Sequence, residues 1–461
     1  MKRTIWRSSL VAATVGALAI SMAPGAFADD PIDDDTNPAP SLNVPASVDT
    51  WRIAGNTRIQ TAIEAAEVRN DWGRGPVTAI FECNPSGIGY DQTTAPGNYE
   101  IGVPVSFQLP DGNGGFIEQT CTPTVVDTLI KDVIIARDDD YPDALAAGPM
   151  ADVVNAPILL NPTDELNSDV EDYLAGQAPT AGLYVVHLLG GTAALSLTVQ
   201  NEIAALGPNV VIVRHQGADR YQTAVGIANW TIFNQIINWL LDDAPIDDIP
   251  TFGNVYLATG TNYPDALASG AGAANNSGVV LLTKGDAFDV NPSGYSFTYD
   301  YIVDLPTTIL SFLEPIFGPE FPLNTPEVFA VGGPAVTAAE GSLGSILAGT
   351  YAGVNRYETA TLLAEGTFTE PFAGKDYFAV ASGTNYPDGV VAGGFIANLD
   401  GPLLLSDPTD LYKAFGDDEG NPYTADYLQE NANNSDLVFV FGGTDSLNQN
   451  VQSQIEEVLN F

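Results

Sequence analysis

Short apolar runs alternate with segments of small and polar residues along most of the chain. Runs such as DVIIA (132–136), NVYLA (254–258) and DYFAV (376–380) are too short for helices and have polar flanks. Such runs are typical of strands buried inside a parallel sheet. A Tyr-Pro-Asp phrase and small residues follow each run, and proline and aspartate both suit the first turn of a helix. This alternation predicts a doubly wound α/β fold with mostly parallel sheets and right-handed crossovers.

The predicted elements recur three times in the same order, which indicates a repeat architecture. Each copy opens on an arginine phrase: RIAGNTRIQTAIEAA (52–66), RHQGADRYQTAVGIA (214–228) and TYAGVNRYETATLLA (350–364). The Tyr-Pro-Asp phrase follows at 141–143, 263–265 and 386–388, and a Gly-Gly pair comes near the end of each copy at 190–191, 332–333 and 442–443. The sequence therefore predicts three modules, at 48–206, 207–349 and 350–461.

The first two modules carry insertions. The first insertion, from about residue 69 to 131, has alternating runs separated by Gly, Pro and Asn, which predicts β-structure. It holds both cysteines of the chain, Cys83 and Cys121, and in an exported protein these predict a disulfide. Closing a loop of this size stabilises by about 4 kcal/mol in the chain-entropy account. The second insertion, at about 286–326, is rich in Pro, Phe and Tyr, and no role is predicted for either.

The N-terminus has the features of a secretory signal peptide. A basic start precedes an apolar stretch from Leu10 to Met22, and Ala-Phe-Ala stands just before Asp29. The sequence predicts export, cleavage after residue 28 and a flexible acidic linker at 29–47. No later stretch is long and apolar enough to predict a membrane span.

The charge balance narrows the possible partners. Lys and Arg number 15 against 58 Asp and Glu, for a formal net charge of −43. Affinity for nucleic acid or anionic lipid depends on Lys and Arg, so neither partner is expected. The only histidines are His187 and His215, and no cluster has the spacing of zinc ligands or of a nucleotide-binding loop. No metal site and no cofactor are predicted.

Three motifs together carry a resemblance to a known family. The Arg-x-x-Gly-x-x-Arg-Tyr-x-Thr-Ala phrase, the Pro-Asp-Ala-Leu helix start and the Gly-Gly turn, in this order three times over, resemble the cell wall-binding repeat 2 family of exported proteins. The resemblance implies three Rossmann-like or Toprim-like modules around a pseudo-threefold axis. It also implies a secreted protein of Gram-positive bacteria or archaea, attached non-covalently to the wall. The implied ligand is a cell-wall polysaccharide, a secondary anionic polymer or peptidoglycan.

The copies depart from one another at several motif positions. Ile59 stands where the other copies have Tyr221 and Tyr357, and Thr350 stands where they have arginine. Asp139-Asp140 replaces Thr261-Asn262. The three sites are therefore not expected to be equivalent.

Basic residues at repeated positions are the main candidates for ligand binding. A guanidinium pairs bidentately with phosphate or carboxylate, which suits an anionic wall polymer. Alternatively, each arginine pairs with the Tyr-Pro-Asp carboxylate of its own repeat and fixes adjacent loops. The Gly-Gly turns either hold an anion at a helix start or are tight turns that require glycine. The candidate ligand-binding residues are Arg52, Arg58, Arg214, Arg220, Tyr221, Arg356, Tyr357, Asp143, Asp265, Asp388, Asn262 and Asn385.

Two other functions compete with wall attachment. An adhesin or surface-layer subunit would use the two insertions. An extracellular wall hydrolase would need a nucleophile and base, yet neither His187 nor His215 lies in a recurring phrase, so no catalytic residue is predicted. The net charge adds a condition, because an anionic polymer is repelled beyond a Debye length of about 8 Å at physiological salt. Binding then requires local arginines, bridging divalent cations or a neutral glycan.

Overall fold

The computed structural model describes most of the repeat region. The described residues are 41–45, 48–69, 71–73, 76–84, 87–89, 105–110, 116–178, 182–241, 251–290, 296–317, 324–368, 376–413, 422–433 and 436–460. Only the backbone is described at 76–84, 87–89, 105–110, 116–129, 237, 240–241, 311–312 and 314–317. The signal peptide and most of the linker predicted at 29–47 lie outside these residues.

The described residues form fifteen strands, most of them short. The strands are β1 (Thr50–Ile53), β2 (Pro76–Asn84), β3 (Gly87–Gly89), β4 (Val105–Pro110), β5 (Phe116–Arg137), β6 (Ile158–Asn161), β7 (Leu183–Leu189), β8 (Val210–His215), β9 (Asn254–Thr259), β10 (Gly278–Thr283), β11 (Val328–Val331), β12 (Leu347–Tyr351), β13 (Tyr377–Ser382), β14 (Leu403–Ser406) and β15 (Leu437–Phe441). Every residue of β9, β10 and β15 is buried, as expected for continuous apolar runs inside parallel sheets.

Helices lie between the strands. The helices of the described part are α1 (Arg58–Val68), α2 (Gly148–Val153), α3 (Ser168–Gln177), α4 (Leu197–Ala204), α5 (Arg220–Leu241), α6 (Pro264–Asn275), α7 (Phe297–Phe317), α8 (Gly333–Glu340), α9 (Arg356–Thr367), α10 (Pro387–Ala397), α11 (Tyr423–Asn431) and α12 (Gln449–Leu459), with a 3-10 turn at Gly344–Ile346. Polar side chains cap several of them, and Asn355 accepts hydrogen bonds from the backbone N–H groups of Tyr357 and Glu358. Across the described ranges, no helix has the length and apolar character needed to cross a membrane.

One predicted helix start is wrong. The Tyr-Pro-Asp phrase opens α6 and α10 as expected, but in the first module α2 begins only at Gly148. Pro149 explains the difference, because a helix running on from Pro142 would place this second proline in its interior. There it would lack an N–H and clash with the preceding turn. The chain instead turns after Pro142, and Pro149 occupies the first turn of α2.

The strands form three parallel four-stranded sheets, which confirms the predicted α/β class. The strand orders are β6-β5-β7-β8, β10-β9-β11-β12 and β14-β13-β15-β1. In the first sheet, β5 continues beyond the parallel part and pairs antiparallel with β2 and β4 of the first insertion.

The fourth strand of each sheet comes from the next arginine phrase along the chain. β8, which contains Arg214, pairs with β7, and β12 pairs with β11. β1, at the start of the repeat region, pairs with β15 near its end and completes the third sheet. The boundary predicted at 206/207 therefore falls between the third strand of the first sheet and its fourth, and the one at 349/350 falls inside β12, the fourth strand of the second sheet. This exchange links the modules into a closed ring.

Three central helices, one per module, hold the ring together. α2, α6 and α10 each contact the other two, around a pseudo-threefold axis. Close approach requires glycine here, since a Cβ on Gly148 would lie 2.7 Å from the Cα of Gly270. One continuous hydrophobic core includes residues of all three modules, from Ile53 to Phe441.

The backbone of both insertions is partly described. In the first, β2 and β5 pair with Cys83 opposite Cys121, but the side chains of both cysteines lie outside the described residues, so the disulfide stays a prediction. The second contains the long helix α7, which lies next to β4 of the first insertion.

A row of hydrogen-bonded polar side chains crosses the first sheet in its core. His187 Nε2 lies 2.8 Å from Asp132 Oδ1, and His187 Nδ1 lies 3.0 Å from His215 Nε2. The three residues are at most 2% exposed, and Trp230 of α5 packs edge-on against both imidazoles. Burial, with the charge of His187 as a second cause, holds the pKa of His215 well below its ordinary value.

We expect His215 to remain uncharged in the folded protein at about pH 5.5, where a solvated histidine is mostly protonated. The measurement is an NMR titration of the imidazole nitrogens, which is simple because the chain has two histidines and both lie in this row. The same sample in denaturant should titrate near pH 6.5. A folded-state midpoint near that value for His215 would contradict the buried arrangement.

Candidate functional site

The recurring motifs meet at one edge of the molecule because they follow the carboxyl ends of parallel strands. The Tyr-Pro-Asp phrases follow β5, β9 and β13, and the Gly-Gly turns follow β7, β11 and β15. In open α/β sheets this edge is where ligands bind. The three modules present it around the axis of the central helices.

Three tyrosines of the Tyr-Pro-Asp phrases meet around this axis. The ring centroid of Tyr141 lies 5.4 Å from that of Tyr263 and 5.5 Å from that of Tyr386, and Tyr263 and Tyr386 are 5.9 Å apart. Tyr141 Oη donates to the Thr261 carbonyl (3.2 Å), so the rings also join neighbouring modules by hydrogen bonds. Sequence reasoning missed these residues, although their identity in all three copies was an available signal.

Arg58, Arg220 and Arg356 lie beside these rings. Their Nη1 atoms donate to the carbonyls of Asp138 (2.6 Å), Gly260 (2.5 Å) and Gly383, each just after a central strand. Arg220 lies 5.8 Å from the Tyr141 ring centroid and Arg356 lies 6.0 Å from that of Tyr263. We call the three tyrosines and these three arginines the tyrosine–arginine cluster.

These arginines keep hydrogen-bonding capacity for a ligand. Arg58 is exposed, and Arg220 and Arg356 are partly exposed. Within the described part of the chain, none of them forms an ion pair with an aspartate, and each makes a single protein hydrogen bond, through Nη1. The remaining N–H groups of each guanidinium can therefore reach an acceptor outside the protein.

The Tyr-Pro-Asp carboxylates lie beneath the cluster and are mostly buried. Burial raises the pKa of all three, and that of Asp265 reaches about 6. An arginine of another repeat opposes the rise in each case: Arg220 acts on Asp143, Arg356 on Asp265 and Arg58 on Asp388. Arg137 of the same repeat also acts on Asp143. The recurring arginines thus act on the aspartate of another repeat, whereas the alternative in the sequence analysis paired them within one repeat.

Each of these aspartates lies against the first glycine of a Gly-Gly turn. Gly190, Gly332 and Gly442 have φ values of 90°, 83° and 99°. A Cβ on Gly332 would lie 2.0 Å from Oδ2 of Asp265, and the other two turns are similar. The geometry supports tight turns that require glycine.

Arg52 and Arg214 have a different environment from the cluster arginines. Arg52 donates to the carbonyls of Gly442 and Leu447, at 2.8 Å each, and Arg214 donates to the Gly190 carbonyl at 2.9 Å. Burial lowers the pKa of both guanidinium groups. These contacts attach the fourth strand of a sheet to the Gly-Gly turn of that sheet.

The other candidates divide between core and surface. Tyr221 and Tyr357 are 9% and 6% exposed and pack under Gly260 and Gly383. Asn262 and Asn385 are exposed, beside the cluster tyrosines in the chain. In the first module Asp140 stands at the position of these asparagines, and the neighbouring Asp139 forms a 2.7 Å ion pair with Arg137, so this side of the cluster carries carboxylates where the other two have Thr and Asn.

Comparison with known proteins matches this repeat pattern to one family. A sequence profile described as cell wall binding domain 2 matches residues 52–200, 214–340 and 350–452. The chain is 35% identical over 95 residues to N-acetylmuramoyl-L-alanine amidase LytC of Bacillus subtilis, covering 21% of this chain and 18% of the amidase. It is 27% identical over 154 residues to the amidase enhancer of the same organism, covering 33% of this chain and 18% of the enhancer.

A solved structure shares the fold. Cwp6 from Clostridium difficile superposes with a TM-score of 0.56 at 18% identity, covering 90% of this chain and 48% of Cwp6. The chain thus matches less than a fifth of the length of these two curated relatives and about half of this solved one.

Replacing Gly332 by alanine should destabilise the protein by more than about 2 kcal/mol, because its φ is positive and the new Cβ would meet Asp265. The neighbouring substitution Gly333→Ala is the control, since nothing lies within 4 Å of a Cβ there. Denaturant unfolding of both variants measures the difference. Equal stabilities would show that the turn tolerates a side chain.

The raised pKa of Asp265 predicts a pH-dependent stability. The Asp265 carboxyl titrates near pH 4 in the unfolded chain and at about pH 6 in the folded protein. Its contribution to the free energy of unfolding is therefore fully present below pH 4 and is lost as the pH rises through 6. Asp265→Asn should remove this loss, on the order of 2 kcal/mol between pH 4 and 7.5 once partial exposure is allowed for. Denaturant unfolding at both pH values measures it, with exposed Asp445→Asn as the control. Parallel curves for wild type and Asp265→Asn would contradict the assignment.

Proposed function

Because the chain belongs to the cell wall binding domain 2 family, we propose that it binds a cell-wall polymer through the tyrosine–arginine cluster. In this proposal the protein is secreted by a Gram-positive organism and stays at the cell surface without a covalent link. The observation that carries the proposal is the set of three partly free guanidinium groups around a ring of tyrosines at the carboxyl edge of the sheets.

The chemistry of the cluster suits a polymer that carries phosphate or carboxylate groups. Guanidinium groups bind both anions through paired hydrogen bonds, and the face of an aromatic ring accommodates a sugar ring. Three weak contacts on one rigid ring bind more tightly together than any one does alone. The modules share one axis, so a single polymer strand can reach more than one arginine.

The strong negative charge of the chain limits this binding to short range. At −43 the protein repels an anionic polymer until the arginines make direct contact. Divalent cations that bridge protein and polymer carboxylates would reduce the repulsion. Wall binding should then weaken when a chelator removes them.

We propose no catalytic role for the recurring aspartates. Each is a single carboxylate beneath a glycine turn, and the two histidines that could serve as bases are fully buried. The amidase named among the relatives matches this chain over 18% of its length.

We propose in addition that export leaves a mature N-terminus near Asp29 and that Cys83 and Cys121, opposite each other in the backbone pairing, form a disulfide.

The triple substitution Arg58→Gln, Arg220→Gln and Arg356→Gln should reduce co-sedimentation with purified Gram-positive walls at least about tenfold. Glutamine retains a donor but loses the charge and the paired geometry. Walls stripped of secondary polymers, assayed with and without chelator, show which component is bound.

The control variant, Lys284→Gln, removes an exposed positive charge outside the cluster and should sediment like wild type. Circular dichroism and thermal unfolding establish that each variant is folded. A folded triple variant that still sediments fully would place the binding site elsewhere.

A further inference from the structure

A cleft runs between α1 and α3 in the first module. Gln60, Ile63, Glu64 and Glu67, on one face of α1, form one wall. The opposite wall is α3, with Asp169, Asp172, Tyr173, Gly176 and Gln177. The cleft has a volume of about 710 Å³, and it adjoins a second cavity of about 470 Å³ that shares Glu64, Glu67 and Gln177 with it.

Two tryptophans line the second cavity. Trp51 comes from β1, and Trp72 lies just after α1. The Trp72 ring is held in place, because its indole N–H donates to the Ala66 carbonyl at 2.7 Å and the Arg69 guanidinium lies 4.5 Å from its centroid. The indole N–H of Trp51 is buried and has no acceptor among the described residues. The Trp72 side of the aromatic wall is therefore fixed before any ligand arrives.

The polar lining offers both acceptors and donors. The carboxylates of Glu64, Glu67 and Asp172 form no hydrogen bond or ion pair within the described part of the chain. Lys131 Nζ donates to Gln177 Oε1 at 3.3 Å, and the guanidinium of Arg69 is buried against Asp71 and the Asn398 carbonyl. Free negative charge thus exceeds free positive charge, which disfavours an anionic ligand.

The other two modules lack the tryptophans. Val213 and Gly349 occupy the positions equivalent to Trp51, and Trp72 lies in the insertion. Trp51 lies on β1, which belongs to the first module in sequence but completes the third sheet. The cleft is therefore not a property of the repeat, and it differs from the tyrosine–arginine cluster in both residues and charge.

We propose that this cleft and the adjoining cavity together form a second binding site, for a glycan strand of uncharged sugars. The indole rings provide a surface on which sugar rings stack, and free carboxylates with neighbouring amides bind sugar hydroxyls. A lining that is mainly polar, with an aromatic wall at one end, suits a ligand rich in hydroxyl groups. The carboxylates exclude polymers that carry phosphate. The site does not depend on the tyrosine–arginine cluster.

Isothermal titration of the full exported chain with the hexamer of N-acetylglucosamine tests the proposal. Wild type should bind the hexamer with little dependence on salt, and Glu67→Gln and Trp51→Ala should each weaken binding by about five- to tenfold. Glu340→Gln, an exposed carboxylate on α8, is the charge-matched control for Glu67→Gln and should bind like wild type. The triple arginine variant should also bind normally, which separates this site from the cluster.

Three results would overturn the proposal: no detectable binding of the hexamer, equal affinity in Glu67→Gln and Glu340→Gln, or binding only of the cationic glucosamine hexamer in a form abolished by salt. The last would indicate general attraction to an acidic protein. Glu67 is exposed, so Glu67→Gln should fold even if Trp51→Ala does not. If the wild-type protein binds the hexamer but does not sediment with walls, the role proposed for the tyrosine–arginine cluster is rejected and the proposal for this site stands.

Discussion

The structure depends on backbone pairing between repeats. Each sheet is completed by a strand that belongs, in sequence, to the next arginine phrase, and β1 completes the last sheet. A strand left without this pairing would expose a row of N–H and C=O groups, which costs free energy. The repeats therefore cannot separate without breaking sheets, and the shared core among α2, α6 and α10 follows from the same closure.

Strand exchange also determines what each arginine does. Arg52 and Arg214 lie on exchanged strands and bind carbonyls of the turn in the sheet they complete. Six residues later, Arg58 and Arg220 begin helices beside the tyrosines of the cluster, where part of each guanidinium is left free. Two arginines of one motif thus have separate roles: one holds the modules together and the other faces the ligand in the proposed function.

The acidic composition makes local arrangement more important than net charge. At the axis, burial raises the pKa of the aspartates, and arginines from neighbouring repeats partly oppose the rise. In the α1–α3 cleft and the adjoining cavity, carboxylates that have no basic partner among the described residues lie near two tryptophans. The proposed ligands differ accordingly, with an anionic polymer at the axis and an uncharged glycan in the cleft.

The sequence by itself determined the local elements, because apolar runs of strand length, capping residues and glycine turns reflect interactions within a few residues. It predicted the α/β class, the threefold repeat and the β-rich first insertion, and it failed at Pro142, where a second proline further along moved the helix start. Only the tertiary structure decided which strand completes which sheet, that Arg356 acts on Asp265, and that Tyr141, Tyr263 and Tyr386 meet. Those pairings join residues far apart in the chain. A periodic sequence contains the same motif three times and does not specify which copy pairs with which.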